Sequence, residues 1–347
     1  MRRLDSGAID LGKTDSPSGF NRSGDGPNDW QFLTVTTHPW FQPYDEAAVR
    51  VIVTPNNQTH ATSTHVCAPV PLVSEFNDGS FTIAARNADC ADGEAGFNWM
   101  VIAEESPKEQ PPVDVRIGVA QPRVLEQSCE RGDWAAWNQP YSEPFRGKEP
   151  ATFGFATAGH IGPTGQTNTT MDQHTVPAAN ARNTTVQYAD NPIAAQMIAY
   201  RQAPLAAGHP AGLGLMARNT DEFRGVVAPN WLAASFAPDA ETSGSSLYVD
   251  SGRTDSARFQ MGGHQDGWQF WEVPFSRPFE SPPVVQLTCT AAADTWAPNL
   301  DQRGVPVVGI VMNVTRFGFT LCGRNSDLVA GQSGFYWVAV GCGVGCG

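Results

Sequence analysis

Arg86-Asn87-Ala88-Asp89, Arg218-Asn219-Thr220-Asp221 and Arg324-Asn325-Ser326-Asp327 carry one signature in three places. A glycine stands seven residues after each arginine (Gly93, Gly225, Gly331), and a tryptophan thirteen after it (Trp99, Trp231, Trp337). Matched identities at matched spacings define an internal repeat, and each repeat is one structural unit. Upstream, Trp30-Gln31-Phe32 and Trp268-Gln269-Phe270 each lie 56 residues before their arginine, while Trp134 and Trp137 reproduce the spacing of Trp268 and Trp271. Phe41, Phe145 and Phe279 fall eleven residues after the first Trp of each repeat. From that Phe to the arginine is 45 residues in the first and third repeats and 73 in the second, an insertion of 28. The Gly-, Thr-, Asn- and His-rich stretch near 159–185 is where composition places it, as a long loop.

Repeat starts are fainter. Leu4-Asp5-Ser6-Gly7 resembles Val249-Asp250-Ser251-Gly252, and the second repeat opens near Val113-Asp114-Val115. Pro- and Ser-rich stretches separate the units, so the expected modules are 1–106, 113–238 and 247–347. Within each, the pattern is β. Phe319 to Gly323 alternates into Arg324, and Phe335 to Val340 returns after Asn, Asp and Gly, which is a hairpin reading. Phe81 to Arg86 and Phe97 to Ala103 repeat it, Val284 to Cys289 and Val305 to Val314 read as further strands, and no stretch sustains a helical period. The expectation is all-β: three tandem antiparallel six-stranded β-sandwich modules, which meet one another at high effective concentration because they are linked.

Composition narrows the partners. Hydrophobic residues make up 41%, enough for real cores, and 16% are charged, with 34 Gly and 27 Pro, which suits short strands joined by loops. The formal net charge of −13 repels a phosphate backbone and an anionic membrane surface, so neither nucleic acid nor membrane insertion is expected. The longest apolar runs are strand-sized, and the basic start lacks an apolar stretch, so neither a spanning segment nor a signal peptide is read. A product made in the cytoplasm, then virion-associated or released by lysis, fits that start. Of seven cysteines, Cys289 and Cys322 sit in apolar strand contexts and read as buried thiols, while Cys342 and Cys346 read as part of a flexible glycine-rich tail.

In the third repeat, Val273-Pro274-Phe275-Ser276-Arg277-Pro278-Phe279 followed by Pro282-Pro283-Val284-Val285, then Asn313-Val314-Thr315 with Gly318-Phe319, then Trp337-Val338-Ala339, resembles the H-type lectin domain. The resemblance covers nearly all of the third repeat, about two thirds of the first and both ends of the second. It implies a six-stranded sandwich, a threefold assembly and binding of galactose-type sugars, N-acetylgalactosamine above all. It also implies a site on loops at one end of the module. The family's first loop matches Gly262-Gly263-His264-Gln265-Asp266; its arginine position falls near Ile310, and its Trp-His position at Arg324-Asn325.

The candidate carbohydrate-binding residues are therefore Gly262, Asp266, Trp296, Arg324, Asn325 and Asp327. Asn and Asp both serve sugar hydroxyls, Arg forks onto them, and Trp296, in a loop with no counterpart in the other repeats, offers a stacking face. The competing reading of Arg-Asn-x-Asp is an Asx-type turn with the arginine closing the strand end. His160, His174 and His209 lack metal-ligand spacing, and no nucleophile, phosphate-loop or paired-acid motif appears, so no cofactor, metal or enzymatic activity is expected. The expected function is recognition of surface glycans as part of a multivalent assembly with other protein subunits. The alternative is a structural or decorating subunit of a phage or phage-like particle.

Overall fold

A computed structural model describes residues 2–4, 7–14, 30–39, 49–56, 69–73, 79–87, 93, 95–104, 113–121, 123–125, 134–140, 152–159, 195–202, 212–220, 225–236, 247–255, 257–260, 267–291, 307–325 and 330–343. Among these residues every long element is a strand, and no helix is long and apolar enough to cross a membrane. The first repeat contributes β1 (Arg2–Leu4), β2 (Gly7–Thr14), β3 (Trp30–Thr36), β4 (Val49–Asn56), β5 (Pro69–Val73), β6 (Ser80–Asn87) and β7 (Gly96–Glu104). The second contributes β8 (Val113–Val119), β9 (Arg123–Leu125), β10 (Trp134–Pro140), β11 (Thr152–Gly159), β12 (Ala195–Gln202), β13 (Gly212–Asn219), β14 (Gly225–Val227) and β15 (Asn230–Phe236). The third contributes β16 (Leu247–Arg253), β17 (Ala257–Phe259), β18 (Trp268–Pro274), β19 (Val284–Ala291), β20 (Val307–Met312), β21 (Gly318–Asn325) and β22 (Gly331–Cys342).

The repeated tryptophans fix which strands correspond. Trp99 pairs with Gly12 on one side and Val53 on the other. Trp231 pairs with Gly118 and Ala156, and Trp337 with Gly252 and Leu287. Each indole lies over its glycine: a Cβ on Gly118 would stand 2.5 Å from Trp231, one on Gly252 2.7 Å from Trp337, and one on Gly12 would collide with Trp99. Only glycine allows this approach. The register corrects the sequence alignment of the repeat starts. Gly252 corresponds to Gly12, not Gly7, so Ile9-Asp10-Leu11-Gly12 is the true counterpart of Val249-Asp250-Ser251-Gly252.

Each of the three large sheets draws on two repeats. The orders are β1-β2-β7-β4-β20-β21-β18, β3-β6-β5-β11-β15-β8 and β10-β13-β12-β19-β22-β16, with β17 also on β22. All ladders within a repeat are antiparallel, and the three seams between repeats are parallel: Leu72 with Ala158 and Val73 with Gly159, Ile198 with Cys289, and Val311 with Asn56. The seams follow one register, since Leu72 and Ile198 are counterparts, as are Ala158 and Cys289. The second repeat thus joins the first, the third joins the second, and the first joins the third, which closes a ring.

The outer faces of β4-β7, β11-β15 and β19-β22 meet inside the ring. Met100, Leu232 and Val338 are counterparts in that shared core, as are Ile102, Ala234 and Val340. Phe97 and Trp99 anchor the first sandwich core, and Phe335 and Trp337 the third. Counterpart threonines link the repeats. The Val53 N–H donates to Thr157 Oγ1 (3.0 Å), Ala156 N–H to Thr288 Oγ1 (3.1 Å) and Leu287 N–H to Thr54 Oγ1 (2.9 Å), so each hydroxyl satisfies a backbone donor of the neighbouring repeat.

The connections where module boundaries were expected, between β7 and β8 and between β15 and β16, pass from one sheet to another, as do those between β2 and β3, β3 and β4, and β6 and β7 within the first repeat. Most of the insertion of the second repeat falls in the β11–β12 connection, 160–194, outside the described residues, and the rest between β12 and β13, since Gln196 pairs with Arg218 where Val70 pairs with Arg86 and Val308 with Arg324. Cys342 corrects the reading of the C-terminus: it ends β22, paired with Leu247, and Gly343 bridges Phe279. The glycine that suggested a loose tail, Gly341, is needed there because a Cβ would stand 2.9 Å from Phe279.

Candidate carbohydrate-binding end of the third repeat

β21 runs to the end of the sandwich where the candidate segments gather. Its last residues, Arg324 and Asn325, pair with Val308 and Val307 of β20, and Arg324 pairs with Trp268 at the start of β18. The segments 261–266, 292–306 and 326–329 leave from these neighbouring strand ends. Gly262, Asp266, Trp296 and Asp327 fall within them, outside the described residues.

Arg324 and Asn325 are well placed and largely hidden, at 5% and 2% exposure. The Arg324 guanidinium lies 5.2 Å from the centre of the Trp268 ring, a cation–π contact with a flat donor fork against a flat face. Asn325 Nδ2 donates to the carbonyl of Gln260 at 2.9 Å. Gln260 and Trp268, on either side of residues 261–266, thereby both contact the end of β21. The same arginine–tryptophan register recurs as Trp30 with Arg86 and Trp134 with Arg218. Asn87 and Asn219 are buried like Asn325. The Arg-Asn pair is part of the scaffold in every repeat. Ile310, at the position of the family's arginine, is fully buried.

Other candidates resolve differently. Cys289 and Cys322 are buried thiols; burial pushes that of Cys289 up to about 11, and raises that of Cys322 for the same reason. Protonated buried thiols are poor nucleophiles and poor metal ligands. Among the described residues no three His, Cys, Asp or Glu side chains gather as a metal-holding group. The sequence reading missed a cavity of about 40 Å³ bordered by Val53, Thr54, Ala156, Thr157, Leu287 and Thr288 from all three repeats. At roughly 30 Å³ per water it suits one or two waters and not a sugar ring. It also missed two exposed aromatics, Phe270 on the edge strand β18 and Phe317 in the β20–β21 turn, 63% and 62% exposed. Phe270 was visible as the outward position of Trp268-Gln269-Phe270, but alternation alone does not say which face of an edge strand meets water.

No family model, no curated protein and no solved structure matches the chain.

Proposed function

We propose that the chain is a carbohydrate-binding protein whose site lies on the loop end of the third repeat and which acts as one element of a multivalent assembly. The observation that carries this reading is that Gln260 and Trp268, on either side of residues 261–266, are both held by the end of β21, through Asn325 and Arg324. The strand ends that lead into two segments rich in hydroxyl-binding residues, Asn325 of β21 and Trp268 of β18, are thus neighbours, as a shallow polar site needs. Arg324 and Asn325 then act as positioning residues. Asp266 and Asp327 accept sugar hydroxyl protons, Gly262 lets the sugar approach the backbone, and Trp296 supplies the apolar face. Single-site affinity is low, and many displayed copies supply avidity.

The test is a glycan array probed with the full chain on a multivalent scaffold. Asp266→Ala is expected to lower binding at least tenfold with unchanged thermal stability. An array with no signal for the unmodified chain overturns the reading. The burial of Arg324 and Asn325 favours a second one: a decorating subunit of a phage-like particle, whose threefold ring is an assembly unit without a sugar of its own. Under it, the chain incorporates into particles while the array stays blank.

A further inference from the structure

Two of the three inter-repeat junctions join repeats that follow each other in the chain. The junction of β4 with β20 joins the first and third repeats, which no linker connects directly. Its backbone seam is the single bridge of Val311 with Asn56, as the second-to-third seam is the single bridge of Ile198 with Cys289. In the register of the β5–β11 seam, Ile310 would also pair with Pro55, as Leu72 does with Ala158. Proline has no N–H to give.

Side chains take over at this junction. Thr54 Oγ1 donates to Gln286 Oε1 at 2.8 Å while it accepts from the Leu287 N–H. Asn56 Nδ2 donates to Asn98 Oδ1 at 2.8 Å, and Asn98 Nδ2 donates to the Val285 carbonyl at 2.8 Å. Asn56, Asn98 and Gln286 are all buried. Their counterparts cannot build the same set elsewhere in the ring. Gln286 corresponds to Ile52 and Phe155, Asn56 to Gly159 and Thr290, and Asn98 to Asn230 and Tyr336.

We propose that the Asn56–Asn98–Val285 relay, together with Thr54–Gln286, is a latch that holds the ring shut at the one junction the chain does not tether, and that the ring opens there when the latch is lost. Buried polar groups that satisfy one another specify a single docking, because any other leaves more of them unpaired; of this set Gln286 Nε2 alone has no hydrogen-bond partner. Loss of the latch therefore acts locally. The other two junctions keep their linkers, their seams and their threonines, and remain closed.

One amide reports each junction: Leu287 N–H on Thr54 for the first-to-third junction, Ala156 N–H on Thr288 for the second-to-third, and Val53 N–H on Thr157 for the first-to-second. The experiment is residue-resolved amide hydrogen exchange on the full chain, unmodified and as Asn98→Ala. The expected result is a rise of at least tenfold in the exchange rate of Leu287, with Ala156 and Val53 within about twofold of the unmodified chain. An equal rise at all three amides, or none at Leu287, overturns the latch. If Asn98→Ala does not fold, Asn56→Ala removes only the outer donor of the relay. It is expected to give a smaller rise confined to Leu287, and a rise spread over the three amides again refutes the proposal.

Discussion

The threonine ring and the Arg-Asn strand ends recur three times each, yet they do different work. Thr54, Thr157 and Thr288 reach across to a neighbouring repeat, so each binds two parts of the chain far apart in sequence. Arg324 and Asn325 stay within their own repeat and brace a loop that starts and ends beside them. Recurrence therefore marks scaffold in both places. What distinguishes one repeat from another lies where recurrence stops: Gln286 against Ile52 and Phe155 inside the ring, and the loop segments at the free ends. The contrast can be broken or sharpened by substitutions that act within a repeat, between repeats, and at the loop.

The largest effect is expected within a repeat. Trp337 is buried against Phe275, Phe319 and Gly252. Trp337→Ala empties that space and is expected to cost about 3–5 kcal/mol, read by chemical denaturation. If the ring rather than the repeat were the cooperative unit for this residue, Trp99→Ala and Trp231→Ala would unfold the chain at the same denaturant midpoint; separate midpoints would identify the repeats as units.

Between repeats, Thr157→Val keeps shape and leaves the Val53 N–H buried without its partner, an expected loss of about 1–3 kcal/mol by the same measurement. Thr157→Ser, which keeps the hydroxyl, is expected to recover most of it. The same substitution at Thr288 should cost a similar amount, and at Thr54 more, because Gln286 Oε1 loses its donor as well. An effect below experimental error at any of the three would mean that junction does not depend on its threonine.

Much of this division was legible in the chain, and its limits have physical causes. The Arg-to-Trp spacing was readable because a buried indole and the strand facing it tolerate neither insertion nor a change of residue. The insertion of the second repeat was readable because loop length is free to vary while strand length is not, and most of it falls between β11 and β12. The parallel seams left no trace, since backbone hydrogen bonds name no side chain. The threonines ended the runs Ile52-Val53-Thr54, Phe155-Ala156-Thr157 and Gln286-Leu287-Thr288, but a threonine in a strand is too common to single out. The first repeat's start was misaligned because Asp-x-Gly matches readily by chance, whereas the true constraint was the indole thirteen residues past Arg86 lying over Gly12. At the candidate site the identity of Arg324 and Asn325 was legible and their burial was not. Polar residues at a strand end look alike whether they face solvent or support a loop from beneath.

At the loop, the brace itself can be weakened. Asn325→Ala removes the donor to Gln260 and is expected to cost about 0.5–1.5 kcal/mol. Hydrogen exchange should rise at Gly267 and at the neighbouring start of β18, while the threonine-bonded amides Val53, Ala156 and Leu287 stay unchanged. A rise at those amides would mean that loop and ring are coupled, and the contrast between them would fail.

The smallest change separates bracing from ligand contact. Arg324→Lys keeps the positive charge but replaces a flat fork stacked on Trp268 by a compact ammonium, and the expected cost is about 0.5–1 kcal/mol of stability. Because Arg324 is 5% exposed, a sugar on the loop surface would reach it only through the residues it supports. Glycan attachment by the multivalent chain should then fall by no more than the change in loop order explains, about threefold for 0.6 kcal/mol at the roughly tenfold per 1.4 kcal/mol of affinity arithmetic. A loss of a hundredfold with the fold intact would show that the guanidinium itself meets the ligand, and would move Arg324 from the scaffold into the binding surface.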